Sequence, residues 1–495
     1  MRILSIIFLI AICLSTKAQE VQQIKIINTD NTFINGKIHP DYWRLIGNVI
    51  FEHNKTTMKC DSAYHYSKTN KIIAFDNIRI NKGDSIILTG KRLNYDANIS
   101  YATISGNVNF KTKSNTLKTK EINFNIEEDL VYFKNYGEII DNEKKIISKK
   151  GYYQIKKQIY TFEESVIVEA KDYTINTENM KYNSLNEENI LNGPSKILID
   201  NKIIYCEKGI FNSKKKIAFL SKKTKIEDKK RLIFADSIFY DKKNKYAQAF
   251  YNVKIIDTIN NFNVFGENAE MYEKENKIVI SEKPILCLIF DKDSLFSRGD
   301  KLININNEKE RVIQLFHNVK FFKSDLSGIC DSIVYSSKDS LISMFHQPFI
   351  WMDDYQISSD SIKLLFYNKK IDKIYLKSNP MIVSKIDSLD YNQIKGKKMI
   401  GYLEKNKLKK INVLSNGESI YHLREDEKKI GLNYIQSTNL TLYFKNSKMN
   451  NVTYKEIPNS ITTPYKDISD KQRFLNDFFW NNKNRPKNLL EIIGS

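Results

Sequence analysis

Six histidines, five cysteines and an Asp-Ser pair that recurs in one register are the side chains of this 495-residue chain with types suited to chemistry. His39, His53, His65, His317, His346 and His422 stand apart, with no HxH, HExxH or Cys-His grouping, so no metal site is expected. Asp61-Ser62, Asp236-Ser237, Asp331-Ser332 and Asp360-Ser361 would put an acid beside a hydroxyl nucleophile. A catalytic pair is needed once, however, and a pair recurring in one register belongs to the fold. No glycine spacing forms a phosphate-cradling loop. The expectation is a protein without catalytic residues, metal or cofactor. Lysines crowd the polar stretches, as at Lys214–Lys216, Lys222–Lys223, Lys242–Lys243 and Lys409–Lys410. Lysine there discourages sheet-to-sheet pairing, and the summed charge also attracts an anionic surface or ligand.

The elements carrying these residues repeat. The segment opening at Cys60 has copies opening at Gly90, Thr119, Ser148, Thr177, Cys206 and Ala235, at steps of 30 and then 29 residues. Looser copies open at Gly266, Gly299, Cys330, Ser359, Gly396 and Ser437, which makes about thirteen units. Each opens on a small residue, so Cys60, Cys206 and Cys330 read as small buried residues. An apolar residue follows three later and often an aromatic two beyond it, as in Leu93/Tyr95, Ile122/Phe124, Met180/Tyr182, Ile238/Tyr240 and Ile333/Tyr335. A spacing of two puts both side chains on one face of a strand. A polar turn, a second strand, a break at Asn (Asn77, Asn107, Asn252, Asn318) or Pro (Pro194, Pro284, Pro348, Pro380) and a third strand complete the unit. In Ala102–Lys111 the even positions are apolar or Gly and the odd ones polar, so one face is buried. Three strands in each of thirteen units predict an all-β antiparallel solenoid of roughly 39 strands.

Composition agrees: aromatics are 12%, with only 8 Pro and 17 Gly, and the net charge is +20. Arg2, the apolar run Ile3–Leu14 and the small Ala18 describe a signal peptide cleaved after Ala18. Residues 1–18 carry two bases and no acid, so the exported chain keeps +18. The boundaries expected are a regular array over 19–300, an irregular continuation over 301–458, and a linker with an amphipathic helical tail over 459–495. Ile468, Phe474, Leu475, Phe478 and Phe479 fall near helical spacing within Asp467–Trp480. Phe474, Leu475, Phe478 and Phe479 are the face expected to dock a partner.

Gly47-Asn48-Val49-Ile50-Phe51, Cys60-Asp61-Ser62-Ala63-Tyr64-His65-Tyr66, Ala74-Phe75-Asp76-Asn77-Ile78 and Gly106-Asn107-Val108-Asn109-Phe110 resemble the OstA-like family. The resemblance covers about residues 40–300 and runs more loosely to 458. The family includes a periplasmic lipopolysaccharide-transport bridge and the N-terminal domain of the outer-membrane lipopolysaccharide assembly protein. What it implies is a β-jelly-roll, or β-taco, whose apolar trough holds acyl chains. Leu93, Tyr95, Ile104, Val108, Phe110, Ile122, Phe124, Tyr153, Tyr182, Phe211, Tyr240 and Tyr335 would line that trough. The implied role is a non-enzymatic periplasmic conduit, with a structural scaffold in an outer-membrane assembly complex as the alternative. The implied partners are lipopolysaccharide or a related anionic glycolipid, the outer-membrane assembly protein, the inner-membrane export complex and further copies of the chain end to end. Nucleic acid is not among them, and the location implied is periplasmic or outer-membrane associated.

Overall fold

The alternation in Ala102–Lys111 becomes the strand Tyr101–Lys111, with Ala102, Ile104, Val108 and Phe110 buried and Asn107, Asn109 and Lys111 exposed. In this computed structural model residues 22–494 are described, except 142, 143, 229, 260, 291, 292, 308, 309, 369, 405, 406, 426, 427, 446, 447, 457 and 458. The predicted signal peptide lies outside the described residues. The described chain holds 38 strands paired antiparallel and almost no helix. It divides into two compact units, Met1–Lys215 and Lys216–Ser495.

A single strand shows how each unit is built. Tyr101–Lys111 pairs with Ile86–Asp96, Ser105 opposite Arg92 and Asn109 opposite Thr89. One strand therefore spends an extra residue at its middle, which is a β-bulge, and the strand bends there. The extra backbone is taken up by Gly106 (φ +86°) and Asn107 (φ +52°), consecutive left-handed residues. Such pairs recur at Gly47/Asn48, Asp76/Asn77, Glu164/Ser165, Lys222/Lys223, Tyr251/Asn252, Glu282/Lys283, His317/Asn318, His346/Gln347, Ser378/Asn379 and Ser415/Asn416. Asn is the residue that tolerates this region best after Gly.

The recurrent Asp explains itself here. Asn48 Nδ2 donates to Asp30 (2.9 Å), Asn77 to Asp61 (2.7 Å), Asn252 to Asp236 (2.9 Å), Asn318 to Asp300 (2.8 Å) and Asn379 to Asp360 (3.2 Å). Each bond runs from the corner of one strand to the neighbouring strand or its corner, so the repeated acid is a corner brace.

This corrects the expected three-strand unit. Through most of the evenly spaced part, a repeat is two bent strands of 11 or 12 residues, such as Thr56–Tyr66 and Lys71–Lys82. The Asn break is a bend inside one strand. The strand divides where the corner precedes Pro284, Pro348 or Pro380, as into Lys277–Ser281 and Ile285–Phe290, and also at some corners without proline, as between Leu130–Phe133 and Gly137–Asp141. Proline lacks the donor that a continuing ladder would need.

Bending puts the two halves of each strand into two walls with their apolar faces toward each other. In the first unit Phe110, on one wall, meets Phe124, on the other, with ring centroids 6.2 Å apart. In the second unit Phe290 and Phe366 stack across the walls at 5.7 Å.

The C-terminal expectations are also corrected. Asn459–Pro464, read as linker, is a strand paired with Gly431–Gln436. The helix read over Asp467–Trp480 is absent; isolated 3-10 turns at Tyr465–Asp467, Asp470–Gln472 and Asn482–Asn484 take its place, with one α-helical turn at Leu490–Ile493. The reason is that this segment's backbone bonds leave the segment. Leu475 N–H donates to Gln393 Oε1 (2.8 Å), and Asn481 N–H to Gln356 Oε1 (2.7 Å). Gln393 Nε2 returns a bond to Arg473 O (2.7 Å) and Gln356 Nε2 one to Phe479 O (2.6 Å). Both glutamines are fully buried. The segment is thus a strap laid along the outer face of one wall, with Leu475, Phe478 and Trp480 on Met381, Val383, Ile420 and Leu432.

Candidate functional site

The side chains expected to line an interior all point inward, and eleven of the twelve are buried: Leu93, Tyr95, Ile104, Val108, Phe110, Ile122, Phe124, Tyr153, Tyr182, Phe211 and Tyr240. Tyr335 is only partly buried. Cross-strand pairing joins Leu93 to Ile104 and Ile104 to Ile122. Phe110, Phe124, Tyr153 and Tyr182 come together in one aromatic column. Tyr153 lies 6.2 Å from Phe110 and stacks on Tyr160 at 4.0 Å, which lies 6.2 Å from Tyr182. Phe211 packs instead on Tyr173 at 4.7 Å. Tyr160 and Phe162 belong to the column and were not singled out from sequence, because they follow the turn rather than the opening residue of a repeat.

The aromatic column is capped at the rim by polar groups that sequence spacing did not reveal. Tyr182 O–H donates to Asp141, Lys144 Nζ donates to Tyr182 (3.0 Å), and Asn115 Nδ2 donates to Tyr160 (3.1 Å). Burial lowers the Lys144 ammonium below its ordinary range, against the pull of Asp141 and Glu187. Burial and the neighbouring Asp141 push Tyr182 up, so its hydroxyl remains a donor. In the second unit Arg311 donates to Asp257 at 2.7 Å, both nearly sealed, with the guanidinium 4.4 Å from the Phe262 ring centre.

The interior of the second unit holds an opening between the walls. There an apolar cavity of about 20 Å³ is lined by Leu295, Tyr335, Ile342 and the stacked Phe290 and Phe366, among others. That is room for about one water. Its apolar lining offers a water almost no partner. Phe290 and Phe366 are each half-buried, so they are the part of the wall-to-wall contact nearest solvent.

Of the four residues expected to face a partner, Leu475 and Phe478 are used inside the chain, under the strap. Phe474 and Phe479 keep 38% and 57% of their surface exposed, and Phe479 also touches Phe349.

The cysteines behave as small core residues. Cys60, Cys206, Cys287 and Cys330 are free and buried. Burial pushes the Cys60 thiol up to about 12, helped by Asp61, and Cys206 up to about 11. Since the thiolate is the reactive form, iodoacetamide at pH 8 should label none of the four until the fold is opened with denaturant. Stoichiometric labelling of the native protein, counted by intact mass, would remove these residues from the interior.

Among the curated proteins, no sequence matches this chain. Among solved structures it is similar to LptH of Pseudomonas aeruginosa, described as the LptA homologous periplasmic component of the conserved lipopolysaccharide transport device. Identity is 16%, over 23% of this chain and 81% of that one, and the TM-score of 0.21 is too low to argue from. Over residues 21–178 the sequence matches the family described as OstA-like protein. About a third of the chain, residues 21–178, is therefore similar to the OstA-like family.

Proposed function

We propose that the protein is a non-enzymatic carrier of acylated, anionic glycolipid, of which lipopolysaccharide is the type, and that the acyl chains enter between the two walls. The observation that carries this reading is the inward file of apolar side chains repeated from rung to rung in each unit, closed by aromatic stacking and hydrogen bonds rather than by covalent links. The OstA-like match over residues 21–178 supports it. A closed interior is compatible with carriage: walls that part exchange side-chain contacts for contacts with a chain, and each methylene so buried is worth about 0.8 kcal/mol. The headgroup stays in water, where a charge of +18 after removal of residues 1–18 favours an anion. On this reading the chain works in the periplasm after cleavage at Ala18. It hands lipid from an inner-membrane export complex toward the outer-membrane assembly protein, alone or stacked end to end. The scaffold alternative is less favoured, since Leu475 and Phe478 are committed to the chain's own wall.

Photo-crosslinking tests it. Benzoylphenylalanine at the inward positions 110 and 335 should capture lipid A in the native envelope, while the outward positions 109 and 334 should not. Equal capture inside and outside would end the carrier reading.

A further inference from the structure

Beside the apolar cavity of the second unit lies a second, polar cavity of about 410 Å³. Its lining comes partly from the wall, with Lys323, Asp325, Trp351 and Asp353, and partly from the strap, with Arg485 and Lys487. Lys323 and Leu326 line both cavities, so an apolar slot and a polar chamber share one rim. The charges in the chamber are unevenly satisfied. Lys323 is held between Asp293 (2.9 Å) and Asp325 (2.6 Å) and has no charge to spare. Arg485 reaches only the backbone oxygen of Asp353, at 3.4 Å, and no carboxylate is within ion-pair distance of Arg485 or Lys487 among the described residues. Asp325 and Asp353 are the acidic residues of the lining, with Asp325 paired to Lys323, so the arginine and lysine side is the one that takes an anion.

We propose that this chamber, completed by the strap, binds the phosphate group of an amphiphile whose acyl chain enters at the adjoining apolar cavity as the walls part; the proposal rests on the carrier reading above. The donor set fits that class. A phosphate offers acceptors only, the planar arginine fork matches two of its oxygens, and Lys487 adds a point charge. The shared rim at Lys323 and Leu326 puts headgroup and tail in one molecule rather than two.

The test compares dodecyl phosphate with dodecyl maltoside, both below micelle formation, on wild-type protein and on the double variant Arg485→Gln/Lys487→Gln. Wild type should bind both. The double variant should bind dodecyl phosphate about tenfold more weakly, the scale of one charge-assisted hydrogen bond, and bind the maltoside unchanged. Arg485→Lys/Lys487→Arg, which keeps the charge, should recover part of the loss. Equal weakening toward both detergents would reduce the strap to a structural element and overturn the proposal. No weakening toward dodecyl phosphate, with both detergents bound, would overturn it while leaving the carrier reading intact. Wild type that binds neither detergent would sink both. Inorganic phosphate at the same concentration should not displace dodecyl phosphate; displacement would mean a site for the free anion and would overturn the joint site.

Discussion

Replacing Asp390 with Ala should free the C-terminal strap from the wall while leaving the repeats folded. Asp390 is completely buried and accepts from Arg473 and Lys429, and from Tyr465 at 3.2 Å. His422 lies 3.9 Å away, equally buried. Burial alone would raise this carboxyl, but Lys429, His422 and Arg473 outweigh it and hold Asp390 below the usual carboxylate range. Removing one member of a buried ion group leaves the rest uncompensated, at a cost of about 3–5 kcal/mol. Lys429 keeps Asp387, and Lys429 and Arg473 retain some contact with water, so the low end of that range applies. The strap's other fastenings, Gln356 and Gln393, bond to backbone that has no internal helix to fall back on, so release should be all or none. Hydrogen exchange reads it directly: the Leu475 and Asn481 amides should lose protection, while Ile104 and Phe110 in the first unit should not. Unchanged exchange at Leu475 would show that Asp390 does not hold the strap. Acid should mimic the mutation. His422 is depressed below its ordinary value by burial, so the unfolded chain takes a proton that the folded one refuses, and stability falls as pH drops below about 6.5. Asp390 adds its own loss only below its unfolded value of about 3.9, as pH falls through its lowered folded value.

The strap also shows why half of this architecture could be read from sequence and half could not. The period of two in Ala102–Lys111 and the 29-residue step are local signals, and they carried the all-β fold and the inward positions. The corners were half visible. Where Asn107 or Asn252 stands, the type announces a left-handed residue, but Glu164/Ser165, Lys222/Lys223 and Tyr251 sit in the same conformation with nothing in their chemistry to say so. Their strain, about 1–2 kcal/mol for each such residue, is offset by the ladders on both sides. The looser copies after Gly266 have a physical cause. The wall under the strap is buried on both faces, so Phe349–Met352 and Met381–Lys385 carry apolar residues at consecutive positions, and the alternation disappears. The tail read as a helix because Leu475 and Phe478 are three apart. The bonds that decide its shape come from Gln393 and Gln356, 82 and 125 residues away, and no local pattern carries such information. The polar rim of Asp141, Lys144 and Tyr182 was invisible for the same reason, since 41 residues separate the tyrosine from the acid it bonds.

Phe366→Asp should abolish lipid capture without unfolding the protein, and the reason lies in where the ring sits. Phe366 is half-buried at the mouth, stacked on Phe290 with the rings within 8° of parallel. In the empty protein an aspartate there can turn its carboxylate to water, so the cost is a lost aromatic contact and a Tm lowered by about 2–4 °C. An acyl chain entering between Phe290 and position 366 removes that escape. The carboxylate must then be covered by methylenes, and an unpaired charge under apolar cover is costly enough that either it takes up a proton or the chain stays out. Capture at neutral pH should fall about 100-fold, equivalent to about 2.7 kcal/mol. Asn368→Asp, two residues further on and exposed, adds the same charge outside the mouth and should leave capture unchanged. Lowering the pH toward 5 should restore part of the Phe366→Asp loss, because the neutral acid is easier to cover and a carboxyl beside a bound chain is raised from its usual value near 3.9. Equal capture by Phe366→Asp and wild type would mean that acyl chains do not pass this mouth. A loss shared equally by Asn368→Asp would mean that capture responds to surface charge alone.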